Sequence, residues 1–232
     1  MSRPVPSGLT IAIDGPAGSG KSTLGAALAE RLGYTYFDSG VMYRALAWLA
    51  LQRGVDPQEE TALVKLAEAA DIQVTRPSQD DGRQATVLVD GTDVTWAIRT
   101  PEVDRAVSPV AAQPRVRQVV TDRLRQIGSG GAIVMVGRDI GTVVLSDASL
   151  KIYLTASGEE RARRRHRDLE ARQMAADYDY ILTEIHRRDA HDAGRDAAPM
   201  RPAEDAIHMD SDSMTVEDEV RQVVRQLGLE DQ

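Results

Sequence analysis

The sequence contains no cysteine among its 232 residues. This absence excludes disulfide bonds, thiolate-bound zinc and cysteine nucleophiles. Aromatic residues are also scarce, at 4% against 42% for hydrophobic residues as a whole, so the core must be built mainly from Val, Ile, Leu and Ala. A core of this kind is typical of a parallel sheet flanked by helices.

Long apolar runs and an excess of positive charge are missing as well. No stretch approaches the roughly 20 apolar residues of a membrane-spanning helix, and the N-terminal MSRPVPSG has no apolar signal core. The 36 acidic and 28 basic residues give a net charge of −8, which argues against nucleic acids and anionic membranes as general partners. We therefore expect a monomeric cytoplasmic enzyme or binding protein.

The hydrophobic pattern predicts alternating strands and helices. A strand at 9–13 leads into a helix at Lys21–Leu32 that ends at Gly33, and a strand at 34–38 leads into a helix at 41–52. Further strands are predicted at 132–136, 150–154 and 206–209, and further helices at 115–127 and from a capping box at Thr215 onward. This order predicts an α/β fold with a doubly wound, five-stranded parallel sheet.

Two segments depart from the alternating pattern. In 55–100, a helical stretch at 61–71 precedes ATVLVDGTDVT, in which Asp90–Gly91 lies between alternating residues as in a β-hairpin. An antiparallel hairpin does not fit a parallel sheet, so we interpret 55–100 as an inserted subdomain. The segment 159–201 is polar and rich in arginine, which predicts exposed helices and loops. The remaining residues, 9–54, 101–158 and 202–232, form the core of one domain.

A phosphate-binding motif lies between the first predicted strand and helix. Gly15, four further residues and then Gly20-Lys21-Ser22 match the P-loop pattern in full. The backbone N–H groups of such a loop surround a phosphate, the lysine bridges the β- and γ-phosphates, and the serine hydroxyl binds Mg²⁺. We expect Lys21 to be exposed. The predicted ATP-binding residues of this loop are Gly15, Pro16, Ala17, Gly18, Ser19, Gly20, Lys21, Ser22 and Thr23.

A second anion site is indicated by two arginines. Arg44 follows the second strand in FDSGVMYR, and Arg138 follows the third in VGRDIGT. Because the carboxyl ends of parallel strands meet at one edge of the sheet, both arginines are expected near the end of the triphosphate, suited to a second phosphate. The alternative is that each forms only a surface ion pair, with Asp38 or Asp139.

Eight segments between about Ile11 and Pro199 carry a resemblance to a known family, and they occur in the order of that family: IDGPAGSGKST, DSGVMYR, IRTPEV, SPVAAQPRVR, GRDIGTVV, KIYLTAS, EERARRR and RDAHDAGRDAAP. In these segments the sequence resembles the bacterial cytidylate kinases, which phosphorylate CMP and dCMP. The resemblance implies a P-loop NTPase-type core, a monophosphate-binding insert at 55–100 and an arginine-rich lid at 159–201. It also implies Mg²⁺-dependent phosphoryl transfer from ATP.

Further site residues follow from the resemblance alone. Arg44 and Arg138 would hold the acceptor phosphate, while Ser108, Arg117 and Asp139 would read the cytosine. Ser39 would line the same pocket, Arg188 and Asp192 would lie at the sugar, and Arg195 would approach the transferred phosphate. Val136 stands where the family usually has an acidic residue, and Asp14 is the candidate to replace that carboxylate.

The lid helix EERARRRHRD leaves several roles open. Alone it is typical of a solvated helix with internal charge pairs; beside two phosphate sites, we expect Arg161, Arg164 or Arg165 to close over the triphosphate. A kinase acting on UMP, AMP or shikimate is the nearest alternative function. A catalytically silent nucleotide-binding protein is the alternative from another class.

Overall fold

The computed structural model describes residues 8–75, 77–171, 173–194 and 200–229. The chain divides into two compact units, a first unit of residues 1–36 and 130–232 and a second unit of residues 37–129. The strands are β1 (Thr10–Asp14), β2 (Thr35–Asp38), β3 (Ile72–Thr75), β4 (Thr86–Val89), β5 (Thr92–Asp93), β6 (Ile133–Gly137), β7 (Leu150–Thr155) and β8 (Ile207–Asp210). The helices are α1 (Lys21–Leu32), α2 (Gly40–Gln52), α3 (Glu60–Ala69), α4 (Pro101–Ala112), α5 (Pro114–Gly128), α6 (Gly158–Ala171), α7 (Tyr178–Ala193) and α8 (Val216–Gln226).

The five predicted parallel strands form one sheet in the order β2-β6-β1-β7-β8. Strand β1 is central, with Asp14 level with Gly137 of β6 and Tyr153 of β7. The predicted fold class is therefore confirmed, and each of these strands lies within one residue of its expected bounds. Because the strands are parallel, the segments that follow β1, β6, β7 and β8 all leave the same edge of the sheet.

Helices α1 and α8 pack on this sheet as their apolar spacing predicts. Leu24 and Leu28 of α1 are fully buried with Val223 and Val224 of α8 in the core of the first unit. Helix α1 ends at Gly33, whose φ of 69° is the left-handed conformation that glycine adopts without strain. Helix α8 begins with the predicted capping box, in which Thr215 and Asp218 satisfy each other's backbone N–H groups.

The second unit contains the predicted hairpin. Strands β4 and β5 are antiparallel, and their turn places Asp90 at φ 49° and Gly91 at φ 79°, the signs that a tight hairpin turn requires. Strand β3 extends the hairpin to three strands and was not predicted. The buried side chains of Val87 and Val89 pack with Val41 of α2, so the hairpin shares a core with the helices of its own unit.

Helix α4 is the main element that sequence analysis left unassigned. It contains Pro109 in its interior, and an internal proline removes one backbone hydrogen bond and normally predicts a break. The side chain of Thr100 caps the first turn, and Val103, Ala106 and Val110 are buried along one face. Burial of this face offsets the lost bond. Among the helices described, none combines the length and apolar character needed to cross a bilayer.

Candidate nucleotide site

The P-loop leaves β1 and turns into the N-terminus of α1 through three glycines with positive φ. Gly15 has φ 148°, Gly18 80° and Gly20 95°. A Cβ on Gly15 would lie 2.0 Å from the carbonyl oxygen of Leu154 in β7, so this position excludes every other residue. Helix α1 begins directly after Gly20, so the loop leads into a helix N-terminus, the end of a helix that favours anions.

Lys21 is 8% exposed, so the expectation that it is exposed was wrong. Its Nζ donates to the carbonyl oxygen of Pro16 at 2.6 Å, and Ser19 Oγ lies 3.5 Å from it. The ammonium group thus lies across the loop whose phosphate it is predicted to bind.

The residues around the P-loop fit a magnesium ion that arrives with the nucleotide. Ser22, in the first turn of α1, is half-buried, and its hydroxyl is a hard oxygen ligand. The described residues contain no cluster of three or more acidic or histidine side chains that could hold a metal by themselves. Mg²⁺ is commonly held by one or two protein ligands together with substrate phosphates, and Ser22 suits that mode.

Asp14, the candidate replacement for the missing carboxylate, is hydrogen-bonded to the turn after β6. It is 4% exposed, and its two carboxylate oxygens accept the backbone N–H groups of Ile140 and Gly141, each at 2.7 Å. Burial raises the pKa of Asp14 to about 6, although these hydrogen bonds oppose the shift. Asp14 therefore anchors the turn that carries Arg138 and Asp139.

Val136 itself is part of the hydrophobic core. It is 1% exposed, and its Cγ1 would lie 2.6 Å from a Cβ added to Gly25 of α1. Its position beneath the first turns of α1 is apolar and fully packed. No oxygen ligand comes from this residue.

The turn after β6 presents Arg138 and Asp139 in the first unit. The Nε of Arg138 forms an ion pair with Asp192 of α7, whose side chain is 1% exposed. Asp139 is also buried, and Arg188 is half-buried on α7. The alternative for Arg138 was a surface ion pair with Asp139, but its ion pair is with Asp192. The structure thus brings two predicted site residues into contact.

Two of the three candidate lid arginines lie against the P-loop. Arg161 is 5% exposed and donates to the carbonyl oxygen of Ala17 at 3.1 Å, which differs from the exposed helix predicted here. Arg164 donates to Ser211 Oγ at 3.1 Å and to the Ser211 carbonyl oxygen at 2.7 Å. Arg165 is exposed. Direct contact of any of them with a triphosphate stays a prediction.

The second unit holds the other predicted monophosphate residues. Arg44 forms an ion pair with Asp104 at 2.6 Å and donates to the carbonyl oxygen of Ile98 at 3.1 Å. The ion pair with Asp38, which was the alternative role for Arg44, is thus formed with Asp104 instead. Arg117 is 6% exposed, donates to the Ala111 carbonyl oxygen at 3.0 Å and lies over the ring of Tyr43.

The remaining predicted residues have simpler environments. Ser39 is buried and precedes α2, and Ser108 is half-buried on α4. Thr23 is exposed on α1. Arg195 lies outside the described residues, so its assignment to the transferred phosphate stays a prediction.

Three residues of these networks were missed by sequence analysis. Asp189 bonds Arg161, Ser211 bonds both Arg164 and the P-loop, and Asp104 pairs with Arg44. The only sequence signal for Asp189 was its spacing three residues before Asp192 on one helix face. Ser211 directly follows β8, at the edge where the P-loop also emerges.

Comparison with known proteins agrees with this arrangement. Residues 11–228 match the cytidylate kinase family. The chain is 52% identical to a cytidylate kinase of Chloroflexus aggregans, over 96% of this chain and 95% of that protein, and 50% identical to one of Herpetosiphon aurantiacus, over 96% of each. It is also 49% identical, over 93% of its length, to 41% of a bifunctional pantoate ligase/cytidylate kinase of Synechococcus elongatus. The chain therefore belongs to the cytidylate kinase family.

Proposed function

We propose that this protein transfers the γ-phosphoryl group of ATP to the 5′-phosphate of CMP or dCMP, giving ADP and CDP or dCDP. The observation that carries the proposal is the complete P-loop at the N-terminus of α1, with the Arg138 turn leaving the same edge of the sheet. Membership of the cytidylate kinase family supports the choice of acceptor. The donor's phosphates would be bound by residues 15–23.

Positioning and charge neutralisation carry such a reaction. The acceptor is already an anion, so no strong general base is required. Lys21, whose ammonium group lies at the Pro16 carbonyl, would bind the β- and γ-phosphates, and Arg138 would exchange Asp192 for the acceptor phosphate. At Arg138 the exchange replaces one anion by another, so the guanidinium charge is compensated before and after binding. When present, Mg²⁺ would be held by Ser22 and the phosphates and would neutralise charge between them.

The acceptor residues are proposed from the family pattern and from their present surroundings. In the second unit these are Ser39, Arg44, Ser108 and Arg117; in the first unit they are Asp139, Arg188 and Asp192 together with Arg138 and Arg195. Asp139 would accept from the cytosine N4 amino group, and Arg117 would donate to N3. Membership of the cytidylate kinase family supports this assignment.

We propose a single kinase domain with two segments that move. The insert at 55–100 would close on the monophosphate, and the lid at 159–201 would close on ATP. Closure would exclude water and suppress hydrolysis of ATP. The proposal also takes the protein to act in the cytoplasm as a monomer without nucleic-acid or membrane partners, which suits its net charge of −8.

A substrate panel tests the proposal. ADP release would be measured in a coupled assay with ATP and Mg²⁺ and with CMP, dCMP, UMP, AMP or shikimate as acceptor, and without acceptor to measure hydrolysis. CMP or dCMP is expected to give a kcat/KM at least about tenfold above the others. A preference for UMP, AMP or shikimate would identify a different kinase, and release that no acceptor increases would indicate a nucleotide-binding protein without kinase activity.

A further inference from the structure

Two carbonyl groups of the P-loop are held from outside the loop by hydrogen bonds. The carbonyl oxygen of Ala17 accepts from Nη1 of Arg161, and that of Ser19 accepts from the hydroxyl of Ser211, both at 3.1 Å. Ser19 and Ser211 are both fully buried. Each of these carbonyls belongs to a peptide that ends in a glycine with positive φ, Gly18 or Gly20.

The orientation of a carbonyl determines the orientation of the N–H group in the same peptide. In a planar trans peptide the two groups point in opposite directions, and the chain has no cis peptide in its described residues. Holding the Ala17 and Ser19 carbonyls outward therefore turns the N–H groups of Gly18 and Gly20 inward. Glycine tolerates either sign of φ, so without these bonds the two peptides could rotate and remove donors from the phosphate site.

The surroundings of Arg161 leave it little capacity to bind a phosphate itself. Its Nε donates to the carbonyl oxygen of Ala156 at 3.1 Å, and its two terminal nitrogens reach Asp189 at 3.0 and 2.5 Å. A guanidinium has five N–H donors in a fixed fork, and these bonds together with that to Ala17 use four of them. Asp189 also neutralises its charge. Arg161 is thus built into the protein as a rigid support behind the loop.

Arg164 reaches the loop through Ser211. The Ser211 hydroxyl accepts from Arg164 Nη1 at 3.1 Å, and a hydroxyl that accepts from a cation has its one hydrogen free to donate, here to Ser19. A second bond, from Arg164 Nη2 to the Ser211 carbonyl oxygen, fixes the same residue from its other side. The chain of contacts runs from α6 through Ser211 to the peptide before Gly20.

We infer that Arg161 and the Arg164–Ser211 pair are positioning residues, which orient the Gly18 and Gly20 N–H groups toward the phosphates of the nucleotide. This role rests on the proposed function only in taking the bound anion to be a nucleotide phosphate. It assigns the two lid arginines an effect that exists before ATP binds. A contact made only in the closed complex would have no such effect.

Amide NMR of the nucleotide-free protein tests this role directly. In Ser211→Ala the Gly20 amide resonance should shift or broaden, and in Arg161→Lys the Gly18 resonance should do so, because lysine keeps the charge but not the fork. Ser213→Ala and Arg163→Lys are matched controls on exposed neighbours and should leave both resonances in place. Unchanged glycine resonances in Ser211→Ala, whose small substitution preserves packing, would overturn the inference.

Calorimetry with ADP in the presence of a chelator gives a second readout. Ser211→Ala should weaken ADP binding by about five- to tenfold, the effect of one lost hydrogen bond. Adding Arg164→Met to Ser211→Ala should cause no further loss if Arg164 acts through Ser211, whereas additive losses would show a direct phosphate contact and contradict the inference. These measurements use no acceptor, so a failed CMP assay in the wild-type protein would overturn the proposed function without affecting them.

Discussion

Glu219 offers a test of the structure that is independent of catalysis. It lies on α8, is 4% exposed, and burial raises its pKa from 4.5 to about 7 against the opposing field of Arg164. Since the folded state binds the proton more tightly than the unfolded chain, the unfolding free energy falls as pH rises from about 4.5 to about 7. Glu219→Gln removes this titration, so the variant should lack that part of the decline.

The size of the effect follows from the pKa difference. A rise from 4.5 to about 7 corresponds to about 3 kcal/mol once the group is ionised in both states. About 1 kcal/mol of this is already lost at pH 5, because the unfolded carboxyl is mostly ionised there. Between pH 5 and pH 8 the wild-type protein should therefore lose about 2–3 kcal/mol more than Glu219→Gln.

Urea unfolding followed by circular dichroism at four pH values from 5 to 8 measures this difference. Glu217→Gln, an exposed carboxylate two residues away on the same helix, is the control and should follow the wild-type protein. Other titrating groups, including Asp14, are present in all three proteins and cancel in the comparison. Equal pH dependence of wild type and Glu219→Gln would refute the argument, whatever the absolute stability of the variant.

Three predictions concern the proposed reaction. Lys21→Ala should lower kcat by about 100-fold or more, since it removes a cation from the transferred phosphate; stopped coupled assays measure this. Arg44→Ala should weaken CMP binding far more than ATP binding in calorimetry, because its anion is the acceptor phosphate. Asp139→Asn should lower the CMP-to-UMP ratio of kcat/KM by about tenfold or more, chiefly through poorer use of CMP, since the carboxylate acceptor for the cytosine N4 amino group is lost; the amide also no longer repels O4 of uracil.

Exposed residues of the same type provide the controls. Lys65→Ala, Arg105→Ala and Asp147→Asn change side chains that are exposed and have no part in the proposed site. Near wild-type turnover in Lys21→Ala would contradict the assignment of the P-loop as the ATP site. Equal losses of CMP and ATP affinity in Arg44→Ala would contradict the role of Arg44 in binding the acceptor phosphate. An unchanged base preference in folded Asp139→Asn would show that cytosine is read elsewhere.

Local patterns in the sequence were sufficient for the sheet and the P-loop. The strand before Gly15 and the leucine spacing of α1 are short-range features, and the structure places them within one residue of the prediction. Asp90–Gly91 likewise specified its turn by backbone preference alone. In each case the residues that determine the structure are neighbours in sequence.

Long-range pairing accounts for most of what sequence analysis missed. Arg161 looked like one arginine among several on a polar helix, and only its contact with Asp189, 28 residues away, explains its burial. Helix α4 was left unassigned because an internal proline such as Pro109 normally argues against a helix, and the buried face that compensates for it is a tertiary feature. The ion pair of Arg138 with Asp192 was missed for the same reason, since the two residues are 54 positions apart in the sequence.

The contact between Val136 and Gly25 restricts how this part of the protein can change. A single Val136→Asp substitution would place a charge in an apolar cluster with no partner, at a cost of several kcal/mol. A single Gly25→Ala substitution would meet the valine at 2.6 Å. Only paired exchanges, such as Gly25→Ala with Val136→Ala, keep the volume between strand and helix nearly constant. Substitutions at residues 25 and 136 should therefore be coupled, because the residue at each position limits the size of the residue at the other. An acidic residue at position 136 could be accommodated only together with compensating changes around it.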